Sequence, residues 1–279
     1  MAREINSNLL ERLKKGDLLP LLDYIKSDSD LRFEVRSGGK AVVYYRKGKA
    51  LEIANGGFNV DEKYGNVPPK DLAGNTPKEY FQQIKKVIDD WVENSQKKHR
   101  PEFDTQQCIA RDNQDKNDAY FILDMEYNFA QDRIDKSDRV KRAGFDLLGI
   151  ERLTGKVVFF EVKKGLESLT GKAGIKSHIN DFETCLYGKN SDVFRENLET
   201  DIKNIVHDKT ELGIIDNYTL PADFCLKNMD IDLVFIFEPN DPDDRDKYDK
   251  IFEKERINSK GAHKKYKTIF VTSTNYKLI

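Results

Sequence analysis

Little in this 279-residue chain is suited to cross-linking or to holding a soft metal. The three cysteines, Cys108, Cys185 and Cys225, are odd in number and far apart. That excludes a disulfide framework and points to a reducing compartment. No C-x-x-C pair occurs and the four histidines (His99, His178, His207, His263) are scattered, so a structural zinc site is not expected. No run approaches the roughly 18 apolar residues of a membrane span. The opening MAREINSNLLERLKKGD has no apolar core and reads as an amphipathic helix rather than a signal peptide. The expected setting is the cytoplasm, with no membrane partner. A phosphate-cradling G-x-x-x-x-G-K-[ST] loop is missing, which argues against an NTPase. Charge of one sign is missing too: the net charge is -2 and the pI about 6.2. A protein gripping many phosphates usually carries a basic excess, although a nuclease needs only a local basic channel.

What is present is a charge-rich globular composition, 38% hydrophobic, 34% charged and 10% aromatic, enough for one large or two modest domains. Leu9, Leu10 and Leu13, then Leu21, Leu22 and Ile25, predict a helix with a second turn over residues 6–26. The period then changes. LRFEVR, KAVVYYR and KALEIAN, separated by Gly-containing turns, predict an antiparallel meander, with FNVDEKY as a fourth strand. Thr76-Pro77-Lys78-Glu79 is a capping box opening a helix with an apolar stripe from Tyr80 to Val92. The polar run Gln96 to Arg100 marks the expected seam, dividing a module over 1–97 from a domain over 98–279. A helix is expected from Pro101. Strands are expected over 119–129, 143–152 and 156–165, helix from 174 to 207, and strands over 229–239 and 267–274. The fold class is therefore α/β with a mixed central sheet, preceded by a helix-plus-meander module.

Chemistry concentrates on the hairpin 143–165. Opposed residues of an antiparallel pair have numbers of constant sum, and side chains alternate faces. A two-residue turn at Thr154-Gly155 sets Asp146 opposite Lys163; a turn centred one residue earlier sets Asp146 opposite Glu161. Either register gathers Asp146, Glu161 and Lys163. Glu161 and Lys163 interrupt VVFFEVKKG, apolar on both faces, which marks a covered central strand. A lone buried carboxylate is costly there, and two side by side resist joint ionisation. A divalent cation resolves both problems, and an adjacent lysine would serve the attacking water or the developing phosphorane charge.

Asp146 and, across a hairpin, Glu161-Val162-Lys163 resemble the PD-(D/E)XK nuclease superfamily, whose restriction-endonuclease-like core runs αβββαβ. Phe145 stands where the name has proline. The resemblance covers roughly residues 101–240. It implies Asp146 and Glu161 as metal ligands for Mg²⁺ or Mn²⁺, Lys163 as the catalytic lysine, and DNA as the partner. Glu102, on the helix before the sheet, fits the acidic residue many members carry. His178 and Phe182 stand at the spacing of a QxxxY motif with both residue types changed. Glu126, on the strand before Asp146, is a further candidate for the site, and Asp124 alternates onto the same face. The expected activity is a metal-dependent phosphodiesterase in restriction, repair or defence, with a homodimer compatible. The main rival is an inactive member of the fold that binds nucleic acid or protein. A nucleotide hydrolase and a scaffold whose meander is the working surface are the others. Lys97 to Arg100 and Lys260 to Lys267 are the candidate phosphate contacts.

Overall fold

The computed structural model describes residues 2–46, 48–64, 72, 76–94, 101–129, 144–216 and 218–279. The expected seam at Gln96 to Arg100, with its basic cluster, lies outside them. In chain order the elements are α1 (Ser7–Lys15), α2 (Leu19–Ser27), β1 (Leu31–Arg36), β2 (Lys40–Tyr45), β3 (Gly48–Ala54), β4 (Gly57–Asn59), α3 (Pro77–Asn94) and α4 (Pro101–Asp112). They continue with β5 (Tyr120–Asn128), β6 (Gly144–Glu151), β7 (Val157–Lys164), α5 (Ile175–Tyr187), α6 (Ser191–Glu211), β8 (Ile231–Glu238), α7 (Arg245–Ile257) and β9 (Lys267–Phe270). The chain packs as two units, residues 1–107 with 200–222 and residues 108–199 with 223–279. No helix among the described residues is long and apolar enough to cross a membrane.

In the first unit, β1 to β4 form the antiparallel meander, each strand beside its neighbour in sequence. The helix expected over 6–26 is two helices. The Asn6 side chain accepts from the N–H groups of Asn8 and Leu9 to start α1, and Gly16 closes it. A Cβ at Gly16 would lie 2.7 Å from the Arg12 Cα, so the tight break needs glycine. Pro20 then sits in the first turn of α2, where its missing N–H costs nothing. The last turns of α6 belong to this unit through long-range polar contacts. Lys209 Nζ donates to Glu34 Oε2 at 2.6 Å with both side chains almost fully buried, and Asp208 accepts from the Ile5 N–H at 2.7 Å. Such a pair stabilises little net of desolvation but specifies the docking partner, since either charge left alone would cost about 3–5 kcal/mol.

The second unit is built on one mixed sheet ordered β5-β6-β7-β8-β9. The β5–β6 and β6–β7 pairs are antiparallel, and the β7–β8 and β8–β9 pairs are parallel. A parallel edge requires crossovers, supplied by α5 with α6 and by α7. β7 is the middle strand and is buried along nearly its whole length, as two-sided apolarity implies. The hairpin from β6 to β7 turns through four residues, 152–155, with Gly155 at φ 71° and the Glu151 N–H donating to the Lys156 carbonyl at 2.9 Å. Leu147 faces Phe160 and Ile150 faces Val157. This is the register in which the next rung carries Asp146 and Glu161.

Candidate metal centre

The β6–β7 ladder stops at Leu147 and Phe160, one rung before Asp146 and Glu161. Asp146 takes over the next ladder bond with its side chain, its Oδ2 accepting from the Val162 N–H at 2.7 Å. The strands therefore part at the pair of carboxyls. Alternation breaks at the same place. Leu148 and Phe159 oppose each other, so a regular β6 would put Phe145 on the other face of the sheet from Phe159. Instead the Phe145 and Phe159 rings stack at 4.1 Å, and both meet Phe182 of α5.

β5 does the same on the same rung. Met125 faces Leu147 and Tyr127 faces Phe145, which leaves Glu126 across from Asp146. Tyr127 also reaches Phe159, ring to ring at 5.6 Å. Glu126 has φ 53°, in the left-handed region, and Arg46 is the other described non-glycine residue there. A left-handed glutamate costs about 1–3 kcal/mol and persists only where surroundings over-determine it. Here it is the irregularity that aligns Tyr127 with Phe145 under α5 while turning an acidic residue toward Asp146's rung.

Glu161 is fully buried. Its Oε1 lies 3.0 Å from His178 Nδ1 and its Oε2 3.5 Å from Lys163 Nζ. Neither oxygen has an aligned hydrogen-bond donor among the described residues. Lys163 is itself 4% exposed and lies 3.4 Å from His178 Nε2, which is 3.0 Å from the Ala173 carbonyl in the loop before α5. α5 thus delivers His178 to the two β7 side chains while its Phe182, Cys185 and Leu186 pack into the core.

The two carboxyls are electrostatically unequal. Burial, reinforced by the Glu161 charge and more weakly by Glu126, holds the Asp146 acid well above the usual aspartate range, against the pull of Lys163 and the Val162 N–H. Burial opposes ionisation of Glu161 too, but His178, Lys163 and the Asp146 acid together outweigh it and bring its pKa below the ordinary value. The site is a pair of hard oxygen donors of unequal proton affinity, Asp146 the weaker acid and Glu161 the stronger, with a lysine in contact.

The structure brings Asp146, Glu161, Lys163 and His178 together and sets Glu126 on the adjoining strand. Asp124 is fully buried opposite Leu148, one rung series away. Glu102 lies in the first turn of α4, among residues of the first unit. Residues 130–143, between β5 and β6, lie outside the described residues. No group of three or more His, Cys, Asp or Glu side chains is arranged to hold a metal ion among the described residues. The oxygen pair itself fits a hard divalent cation, because Mg²⁺ is commonly held by one or two carboxylates with water and phosphate filling its octahedron. The buried, undonated oxygens of Glu161 are what a cation would satisfy.

The fold and site define a mixed α/β protein with a half-buried aspartate beside a buried glutamate and lysine where two central strands part. The chain matches no family model, no curated protein and no solved structure.

Proposed function

We propose that the second unit is a metal-dependent phosphodiesterase acting on nucleic acid, built on a PD-(D/E)XK-like core. The observation carrying this reading is the pairing of half-buried Asp146 with fully buried Glu161, one rung past the end of the ladder, with Lys163 3.5 Å from Glu161. Element order supports it: from α4 the chain runs helix, three antiparallel strands, helices, then a strand parallel to the third. Asp146 and Glu161 would hold Mg²⁺ or Mn²⁺, whose role is to polarise a phosphoryl oxygen and acidify a bound water. Asp146, the weaker acid of the two, would bind the ion as its carboxylate, because metal ligands are deprotonated. Lys163 would donate to the non-bridging oxygen on which negative charge develops, where a buried ammonium acts more strongly than in water. His178 holds Glu161 and Lys163 in place from α5.

DNA is the expected substrate. The test is incubation with plasmid, linear and single-stranded DNA in Mg²⁺ or Mn²⁺, beside Lys163→Ala. Metal-dependent cleavage that Lys163→Ala lowers by about 10²–10³, the range for losing one transition-state donor, supports the reading. No cleavage of any substrate in either metal overturns it. That second outcome would favour an inactive, binding-only relative of the fold.

A further inference from the structure

A second concavity opens at the carboxyl ends of the parallel strands. It is a cavity of about 460 Å³ whose walls include Lys164, Glu238, Asn240, Arg245, Phe270 and Thr272. Ligands of open α/β sheets characteristically sit at that end, and the volume falls within the roughly 300–1,000 Å³ of small-molecule sites. Lys164 directly follows Lys163 on β7 with its side chain on the opposite face of the strand, so the cavity lies at the end of the same strand that carries the candidate catalytic lysine.

Its chemistry is selective. The Lys164 charge is met by Glu238 Oε1 at 2.8 Å, with Glu238 almost fully buried. Asp241, Asp243 and Asp244 precede Arg245 in the loop beside it. This balance disfavours a phosphate as the occupant. Arg245 makes no hydrogen bond or ion pair among the described residues; its guanidinium lies over the Phe270 ring, 4.4 Å from the centroid. A solvent-exposed guanidinium plane on an aromatic ring, with an amide and a hydroxyl nearby, suits a neutral planar ring with hydrogen-bonding edges. Nucleobases stack on such surfaces whatever their sequence.

We propose that this cavity receives one unpaired nucleobase of the substrate strand, so that the enzyme acts on single-stranded or frayed nucleic acid. The inference rests on the phosphodiesterase reading. A base held in a duplex must be unpaired and unstacked before it can enter such a cavity, whereas an unpaired one enters without that cost.

The test uses the full chain carrying Lys163→Ala, so that strands stay intact. A 15-nucleotide single strand with 2-aminopurine at one position in each of a series is compared with the matching blunt duplex, by anisotropy and by 2-aminopurine fluorescence. Expected are at least tenfold tighter binding of the single strand and quenching at one position of the series. Arg245→Ala and Phe270→Leu should each weaken single-strand binding about tenfold and abolish that quenching, leaving duplex binding unchanged. Equal affinity for the two forms, or no response to either substitution, overturns the proposal. Cleavage by the unsubstituted chain is measured alongside. If Lys163-dependent cleavage persists while the substitutions change nothing, the cavity assignment fails alone; if cleavage is absent as well, the phosphodiesterase reading fails with it.

Discussion

The acid pair makes a non-additive prediction. Glu161 is the charged partner of a buried lysine, and removing one member of such a pair typically costs about 3–5 kcal/mol because the other is left buried and uncompensated. Lys163→Met should show that full effect, about 3 kcal/mol, since the Glu161 carboxylate then keeps only the His178 ring within 3.0 Å. Glu161→Gln should cost far less, about 1 kcal/mol, because Asp146 is a spare acid: the Glu161 charge is one of the things holding its proton on, and that charge is gone. Asp146 then ionises and becomes the counter-ion of Lys163. Blocking this with Asp146→Asn, itself a mild change, should restore the large penalty, so the double variant loses about 2 kcal/mol more than the two single variants together. The assay is native-state hydrogen exchange of the β6 and β7 amides in EDTA at pH 6, read as opening free energies. A coupling energy below about 0.5 kcal/mol, the ordinary additivity error, would refute the unequal-pair reasoning.

Further outcomes follow from the same geometry. Asp146 binds its proton more tightly folded than unfolded, so between its unfolded value near 3.8 and its raised folded value the native state holds the extra proton. Stability should fall as pH rises through that window, by at most about 1.4 kcal/mol per unit, and both Asp146→Asn and millimolar Mn²⁺ should flatten the slope in thermal melts. Glu161, held low, contributes in the opposite sense and only below its ordinary value of 4.5, where stability should drop with falling pH. Glu126→Gly removes the left-handed strain at φ 53° and should stabilise the apo chain by about 1 kcal/mol. The same change should shift the Asp146 slope to lower pH, checked in the same melts. Cys185, 5% exposed and with its thiol pushed up to about 12 by burial, should resist a thiol reagent at pH 8 until the chain is denatured, while exposed Cys225 reacts at once.

The meander, the helix from Pro77 and the strands on either side of Asp146 were legible because each is a local pattern: alternation, turn glycines, a capping box. The site was legible as far as strand parity carries. Constant-sum pairing gave two registers for Asp146, and a four-residue turn selects the one opposite Glu161. The parting of the strands was not legible. Alternation of apolar residues does not announce that Glu126 will adopt φ 53°, nor that Phe145 and Tyr127 will turn to the face of Phe159. Those shifts are set by ring packing against Phe182 of α5, a contact between distant segments. The same holds for the end of α6, whose place in the first unit depends on Lys209 meeting Glu34. His178 was visible as a position but not as a contact, because the spacing from Lys163 says nothing of the loop at Ala173 that aims it. Helix α1 ended early for a local reason, Gly16 followed by Pro20, that the leucine spacing alone obscured.

The central claim is that Asp146 and Glu161 jointly hold a divalent cation. Crystals grown with Mn²⁺, with data collected at the manganese edge, test it directly. The account predicts an anomalous peak between the two carboxyls, about 2.0–2.3 Å from an oxygen of each as for a hard divalent ion, that is lost in Glu161→Gln. Crystals saturated with Mn²⁺ at pH 8 that show no peak there, with His178 and Lys163 still seated on Glu161, would contradict it.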